Sequence, residues 1–142
     1  LNLKSFVKTS GQKGLHVYIP LNPIYKYSEV RNFLKTIAKI LIDLKPDLVT
    51  IKWRQNKRQG KVYIDYRQIG KSKTIPAPYS LRPTPEATIS TPLKWSELNY
   101  NLKSTDFRLS NINKRIKNNK TLWQNMLKIN QTLPQLDFFN QK

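Results

Sequence analysis

Apolar and polar positions alternate through Leu15-His16-Val17-Tyr18-Ile19, the period of a half-buried strand. This phase predicts Leu15, Val17 and Ile19 toward the core, with His16 and Tyr18 on the other side. Leu3 to Lys8 reads as a shorter strand leading into the turn before it. Val30, Phe33, Leu34, Ile37, Ala38, Leu41 and Leu44 recur at three and four, one apolar face of a helix. Ser28 is its expected N-cap, Glu29 lies in the first turn, and Pro46 stops it. Arg31, Lys35 and Lys39 lie on the opposite side and read as a solvated basic face. Leu48 to Arg54 fits a strand or a short helix. Lys61 to Tyr66 predicts a second clear strand, with Val62, Ile64 and Tyr66 on one face and Lys61, Tyr63 and Asp65 on the other.

Thr74 to Pro92 carries five prolines, which are excluded from helix interiors and central strands. It predicts an extended segment packed on the domain through Ile75, Tyr79 and Leu81. Trp95 to Leu98 predicts one helical turn. Ile112 to Lys117 predicts a helix broken at Asn118-Asn119, and a further helix starts near Thr121 with Leu122, Trp123, Met126 and Leu127 on one face. Trp123 and Met126 are expected in the core.

The chain has 142 residues, no cysteine, one histidine and a formal net charge of +18. Disulfides, thiolate metal sites and histidine-cluster metal sites are excluded. No apolar run approaches the ~18 residues of a membrane span, and no secretory signal pattern is present. No helix joins a strongly basic polar face to an exposed aromatic one, which argues against a membrane-surface protein. The charge suits a polyanion, nucleic acid first. The chain begins with Leu in a strand-like stretch, which predicts a fragment, a processed chain or half of a split protein.

Between the first two strands lies Ser10-Gly11-Gln12-Lys13-Gly14. Gly11 and Gly14 permit positive φ and a close backbone approach, and successive amides in such a turn form an anion-binding nest. Ser10 adds a hydroxyl and Lys13 a compact charge. The bland alternative is a hairpin turn with a surface histidine. Asp65 interrupts an apolar strand and needs compensation, by a lysine or by a divalent cation. If the two clear strands share a sheet, His16, Asp65 and the turn meet in one cleft, with the parts of a phosphoryl-transfer site. The eight acids include no Asp-x-Asp pair, so the chain alone does not complete a two-metal site.

Thr9-Ser10-Gly11-Gln12-Lys13-Gly14-Leu15-His16 resembles the Ser-Gly-x-x-Gly-x-His motif of archaeo-eukaryotic primases. Gly60 to Gln68 is similar to their third motif, a hydrophobic strand ending in a metal-binding Asp. Ala77 to Arg82 and Ser90 to Leu98 resemble the stretches that follow. Order and spacing, from about Lys8 to about Leu109, look like the primase-like polymerase domain of the bacterial end-joining enzyme DNA ligase D. The resemblance implies a mixed α/β fold: a mixed or antiparallel sheet with flanking helices, a primase-polymerase core with an RRM-like sheet, here incomplete. It implies a single partial domain over 1–142, the C-terminal half of the polymerase domain, with a catalytic-core part over 1–109 and a helical part over 110–142.

By the same resemblance, Ser10, Lys13, His16 and Arg82 hold a nucleoside triphosphate, with Gln68 beside the nucleotide. His16 and Asp65 are catalytic and Asp65 is a metal ligand. Arg58, with Lys57 and Arg54, lies near the template strand. The implied cofactor is Mn2+ or Mg2+ in a two-metal site with one ligand here. The implied partners are DNA, nucleoside triphosphates, a ligase domain and the Ku end-binding protein, in a prokaryotic cytoplasm at the nucleoid, with no membrane. The family's Asp-x-Asp motif and its 5′-phosphate pocket lie upstream of the matched stretch, and Ile69 stands where the family has Asn. A catalytically silent nucleic-acid-binding module is the alternative.

Overall fold

The computed structural model describes residues 1–136, so the last part of the expected helical segment, 137–142, lies outside the described residues. The architecture is mixed α/β. It divides into two compact units, one of Leu1–Asn22 with Ile75–Thr132, the other of Pro23–Thr74 with the segment from Leu133.

In the first unit, β1 (Phe6–Thr9) and β2 (Leu15–Tyr18) pair antiparallel, and β5 (Pro92–Leu93) pairs antiparallel with the other edge of β1. The register sets Phe6 opposite Tyr18, Lys8 opposite His16 and Thr9 opposite Leu15. Side chains alternate across a strand. One face of β1 therefore presents Val7 to a core of Ile89, Leu93, Phe107 and Ile112, with Tyr79, Leu98, Leu102 and Ile116 packed around it. The opposite face presents Phe6 and Lys8. There the Trp123 ring meets Phe6 and Tyr18 edge-on, at centroid distances of 5.8 and 5.2 Å.

The phase of β2 is the expected one, since Leu15 and Val17 share the Val7 face by register, but on this edge strand the expected burial is not reached. Leu15 and Val17 are exposed, whereas His16 and Tyr18 are half-buried. Trp123 and Lys8 cover the His16–Tyr18 side.

The proline-rich segment folds back on itself. Tyr79 and Arg82 donate their amides to Ser90 and Thr88 carbonyls at 2.7 and 2.8 Å, and Leu81 bridges Ile89. The helical turn expected over Trp95 to Leu98 is a 3-10 turn at Trp95–Glu97, and α2 spans Ile112–Asn118. The stretch from Thr121 is a run of turns ending in a 3-10 turn at Met126–Lys128, not the expected helix, and Leu127 is exposed. Asn130 and Gln131 end the run, with Gln131 tied by its side chain to Lys4 and Pro20.

Arg115 clasps these elements. Its guanidinium grips both oxygens of Glu97 at 2.7 and 2.9 Å, donates to the Pro92 carbonyl at 2.6 Å and lies 4.8 Å from the Phe107 ring centroid. The Arg115 hydrogen bond holds the Glu97 carboxyl below its ordinary pKa. Replacing Arg115 by Met is expected to cost about 1–2 kcal/mol, the scale of a half-buried bond to a charged group. Urea unfolding checks this. The difference between wild type and Arg115→Met should shrink as pH falls through the depressed Glu97 pKa, because the contribution is present only while Glu97 is ionised.

In the second unit, α1 (Tyr27–Leu44) packs by its apolar stripe beside β3 (Val49–Thr50), which pairs parallel with β4 (Val62–Tyr63). Ala38 is fully buried on that stripe; Leu41 and Leu44 at its end are exposed. The helix starts one residue before Ser28. Its N-cap is Lys26 rather than the expected Ser28, and the Glu29 carboxylate accepts from Lys26 N at 2.7 Å. The same Lys-x-x-acid cap recurs at Lys94–Glu97 and Lys103–Asp106, at 2.7 and 2.8 Å. A carboxylate there serves an otherwise unpaired donor and sits at the positive end of the turn dipoles.

The strand expected over Lys61 to Tyr66 stops at Tyr63. Asp65 ends it by capping the 3-10 turn Tyr66–Gln68. Hence β2 and β4 lie in two separate sheets, and the shared-sheet premise for His16 and Asp65 does not hold.

Candidate functional site

The Ser10–Gly14 turn is built by local chemistry. Ser10 Oγ accepts the amides of Gln12 and Gly14, each at 3.1 Å, and Ser10 N donates to the Gly14 carbonyl at 2.8 Å. Two lone pairs are thus occupied, and the hydroxyl proton is left to donate elsewhere. Two amides of the expected nest are therefore already bonded to serine. Gly11 has φ +71°, but Gly14 is not in the positive-φ region. A side chain at Gly11 would strike the Arg82 stem and come within 3.0 Å of Ser90 N. Glycine thus serves both the turn and the close approach of the 82–90 segment, which Thr88 secures by donating to the Gly11 carbonyl.

Behind this turn stands a group of cations. Lys8 is completely buried, and its Nζ donates to Ser90 Oγ and toward the Thr9 carbonyl. Ser90 Oγ donates in turn to the Thr9 carbonyl at 2.8 Å. Burial, and then the Arg82 charge, push the Lys8 pKa down to about 8. His16, its cross-strand partner, has its pKa lowered by burial first, then by Lys8 and Arg82. His16 Nδ1 and Arg82 Nε are both buried without a protein hydrogen-bond partner. Among the described residues no carboxylate balances these groups, and the ion pair there is Arg115–Glu97. Buried donors without acceptors cost about 1–3 kcal/mol each. The chemistry that suits such a field is an anion rich in oxygen acceptors.

The structure brings Ser10, His16 and Arg82 around this turn. It places Lys13 differently. Lys13 is exposed and lines a cavity of about 210 Å³ with Thr9, Leu15, Leu98, Leu102 and Lys103. Thr9 and Leu15 alternate with Lys8 and His16, so that cavity opens on the opposite face of the hairpin.

The remaining candidates belong to the second unit. Asp65 is exposed; its Oδ1 accepts from Arg67 N at 3.1 Å and from the Tyr63 hydroxyl at 3.4 Å. No protein donor reaches Oδ2 among the described residues, so the carboxylate can serve as one hard oxygen ligand. Gln68 Nε2 is tied to the Thr74 carbonyl at 2.6 Å. Arg58 stacks 4.2 Å above the Tyr63 ring centroid and donates to the Trp53 carbonyl at 2.7 Å. Arg54 and Lys57 are exposed beside it. Among the described residues, no three His, Asp or Glu side chains gather as a metal cluster.

Sequence reasoning missed Lys8, Ser90 and Trp53. The signal for Lys8 was available: a charge inside Phe6-Val7-Lys8-Thr9 interrupts an apolar strand just as Asp65 does. Trp53, 66% exposed, is an aromatic set in a basic run, the composition of a base-stacking platform.

Residues 1–123 match the family described as LigD, primase-polymerase domain. The chain belongs to that family. Among its LigD relatives, the bifunctional non-homologous end joining protein LigD of Bacillus subtilis is 37% identical over 116 residues, covering 81% of this chain and 19% of that protein. The multifunctional non-homologous end joining DNA repair protein LigD of Mycobacterium tuberculosis is 40% identical over 98 residues, covering 69% of this chain and 13% of that protein. The polymerase domain of Mycobacterium tuberculosis Ligase D, solved in complex with DNA, superimposes with a TM-score of 0.81 at 34% identity, over 89% of this chain and 44% of that chain. The chain thus spans a fifth or less of these LigD relatives, and under half of the solved polymerase chain. The LigD match covers both the Ser10–Gly14 turn and Asp65.

Proposed function

We propose that the first unit holds the triphosphate of a nucleotide for nucleotidyl transfer in end joining, with the chain acting as one part of a LigD-type polymerase domain. The observation that carries this reading is the cluster of buried Lys8 with half-buried His16 and Arg82 behind the Ser10–Gly14 turn, which no carboxylate among the described residues balances. Ser10 donates its hydroxyl proton to a phosphate oxygen. Arg82 offers a planar fork of donors. His16 acts as a neutral hydrogen-bonding imidazole, consistent with its lowered pKa. Lys8, too buried to grip the ligand itself, holds Ser90 and supplies positive potential. Lys13 adds charge from the turn's outer side.

In the second unit, Asp65 is the metal ligand and Gln68 sits beside the nucleotide. Trp53, Arg54, Lys57 and Arg58 offer a basic and aromatic surface to the template strand. Asp65 fits a divalent cation as one oxygen ligand. Bound Mn2+ or Mg2+ ions would activate the primer 3′-hydroxyl and neutralise the pyrophosphate that leaves when it attacks the α-phosphate. The acting partners are a broken DNA end, nucleoside triphosphates, a ligase domain and Ku, in a prokaryotic cytoplasm at the nucleoid. Among the described residues, no helix is long and apolar enough to cross a membrane. A second reading, a silent nucleic-acid-binding module, is favoured by the lack of a three-residue metal cluster among the described residues.

Equilibrium titration tests the cradle. A nucleoside triphosphate should bind well above the corresponding unphosphorylated nucleoside. Its affinity should fall several-fold between about pH 7.5 and 9, as Lys8, with a pKa near 8, loses its charge. Across that window His16, with its lowered pKa, stays neutral. Lys8→Met should bind weakly throughout and lose the pH dependence. Equal affinity for nucleoside and triphosphate would refute the cradle.

A further inference from the structure

The second unit carries a basic cavity that the proposed roles leave unused. It measures about 410 Å³ and is lined by Arg31, Asn32 and Lys35 of α1, Tyr66 and Arg67 of the turn after β4, and Lys73. Four of its six lining residues are cations and none is an acid. Among the described residues, none of the four is ion-paired. The acids of this unit are engaged or distant in sequence: Glu29 serves the Lys26 amide and Asp65 the Arg67 amide.

A solvated basic face, as expected from sequence, would carry loose side chains; here two of the cations are held. Arg31 donates Nε and Nη2 to the Ile69 carbonyl at 2.9 and 2.6 Å. Its Nη2 lies where a side chain at residue 70 would begin, 2.7 Å from an ideal Cβ, so Gly70 makes room for the guanidinium. Arg31 keeps Nη1 and part of Nη2 for another acceptor. Arg67 lies over the Tyr66 ring, 5.6 Å from its centroid, with Nε 3.4 Å from the tyrosine oxygen. Lys35 and Lys73 add mobile ammonium groups, and Asn32 an amide.

We propose that this cavity seats a backbone phosphate of the DNA on which the chain acts. The proposal rests on the DNA-binding reading above. Arg31, Asn32, Lys35, Arg67 and Lys73 are all exposed, so the site is open along its rim. An open rim suits a strand passing over the cavity, with one phosphate dipping into the fork of Arg31. An enclosed pocket would suit a free nucleotide better. Phosphate contacts of this kind position a duplex and carry no sequence information.

The test is an anisotropy titration of the 142-residue chain with a duplex bearing a single-stranded end, from about 50 to 200 mM salt. Lys35→Gln with Lys73→Gln leaves the Arg31 and Arg67 contacts intact, and circular dichroism checks the fold. This double variant should bind about tenfold more weakly, with a salt slope lowered by up to roughly one, near 0.9 for a single phosphate contact. Its affinity for a nucleoside triphosphate alone should be unchanged. The charge-matched control, Lys114→Gln with Lys117→Gln on α2, should lose less than about twofold, with a smaller slope change. Gly70→Ala, which pushes on Arg31, should reproduce part of the loss without removing charge.

Equal losses in the double variant and the control would overturn the proposal, since bulk charge would then explain both. Loss of triphosphate binding with DNA binding retained would overturn it in favour of a free-nucleotide site. A wild-type chain that binds no duplex removes the parent reading and this one together. Duplex binding that the Lys35/Lys73 change leaves alone removes only this one.

Discussion

Purified alone and given manganese, nucleotides and a primer–template, the chain is expected to hold the DNA and leave the primer unextended. Binding follows from the net charge of +18 and the exposed Arg54, Lys57 and Trp53. It should fall steeply with salt, by the release of counterions condensed on the phosphates. The failure to extend follows from the carboxylates. A two-metal clamp stabilises the attacking and leaving oxygens together and needs several oxygen ligands close to one another. The sequence has eight acids and no Asp-x-Asp pair. The described residues show no cluster of three metal-ligating side chains. A gel assay of a labelled primer should show no product above the enzyme-free lane. Adding a polypeptide that carries the Asp-x-Asp part of a LigD polymerase domain should restore extension. Extension by this chain alone would overturn the assignment of Asp65 as one ligand of a divided set.

Arg82→Lys is expected to weaken triphosphate binding by about 1–3 kcal/mol, roughly 5- to 150-fold, as a forked charged contact gives way to a single one. The substitution is informative because lysine keeps the charge and the stem that packs against Gly11. What it removes is the planar guanidinium, whose Nε is buried without a protein partner. The loss therefore reports bidentate grip rather than net charge. Calorimetry on the chain alone reads it. Lys117→Gln on α2 should change affinity less than about twofold. Equal effects from the two substitutions would mean that bulk charge, not a built cradle, holds the nucleotide.

What the sequence made legible was local. Ser10 and Gly11 fix their turn through contacts within five residues, so motif and geometry agree. The α1 stripe, the turn at Trp95–Glu97 and the helix before Asn118-Asn119 are likewise set by spacing and caps close in the chain. What stayed hidden depended on distant partners. In β2 the period assigns the two faces but not their cover: as an edge strand it leaves Leu15 and Val17 exposed on the Val7 face. Trp123, more than 100 residues further on, covers the other face at Tyr18. Lys61 to Tyr66 alternates well, yet Asp65 spends its carboxylate on the Arg67 amide and ends the strand early. Lys8 went unnoticed because its compensation comes from Ser90, on a segment that only folding brings near. The basic side of α1 looked like a plain solvated face because the Ile69 carbonyl and Gly70, which organise Arg31, lie 38 and 39 residues later in the chain.

The order β2-β1-β5 leaves β2 with one neighbour among the described residues, and Leu15 and Val17 on it are 47% and 54% exposed. An open strand edge with apolar side chains is a template for pairing with another copy. Two such copies meet only if they overcome the repulsion between two bodies of +18 each. The range of that repulsion shrinks from about 30 Å at 0.01 M salt to about 8 Å at 0.15 M. Colloidal stability of this chain therefore rests on dilute electrolyte. A bound polyanion, by neutralising the surface, brings the edge within reach of self-association.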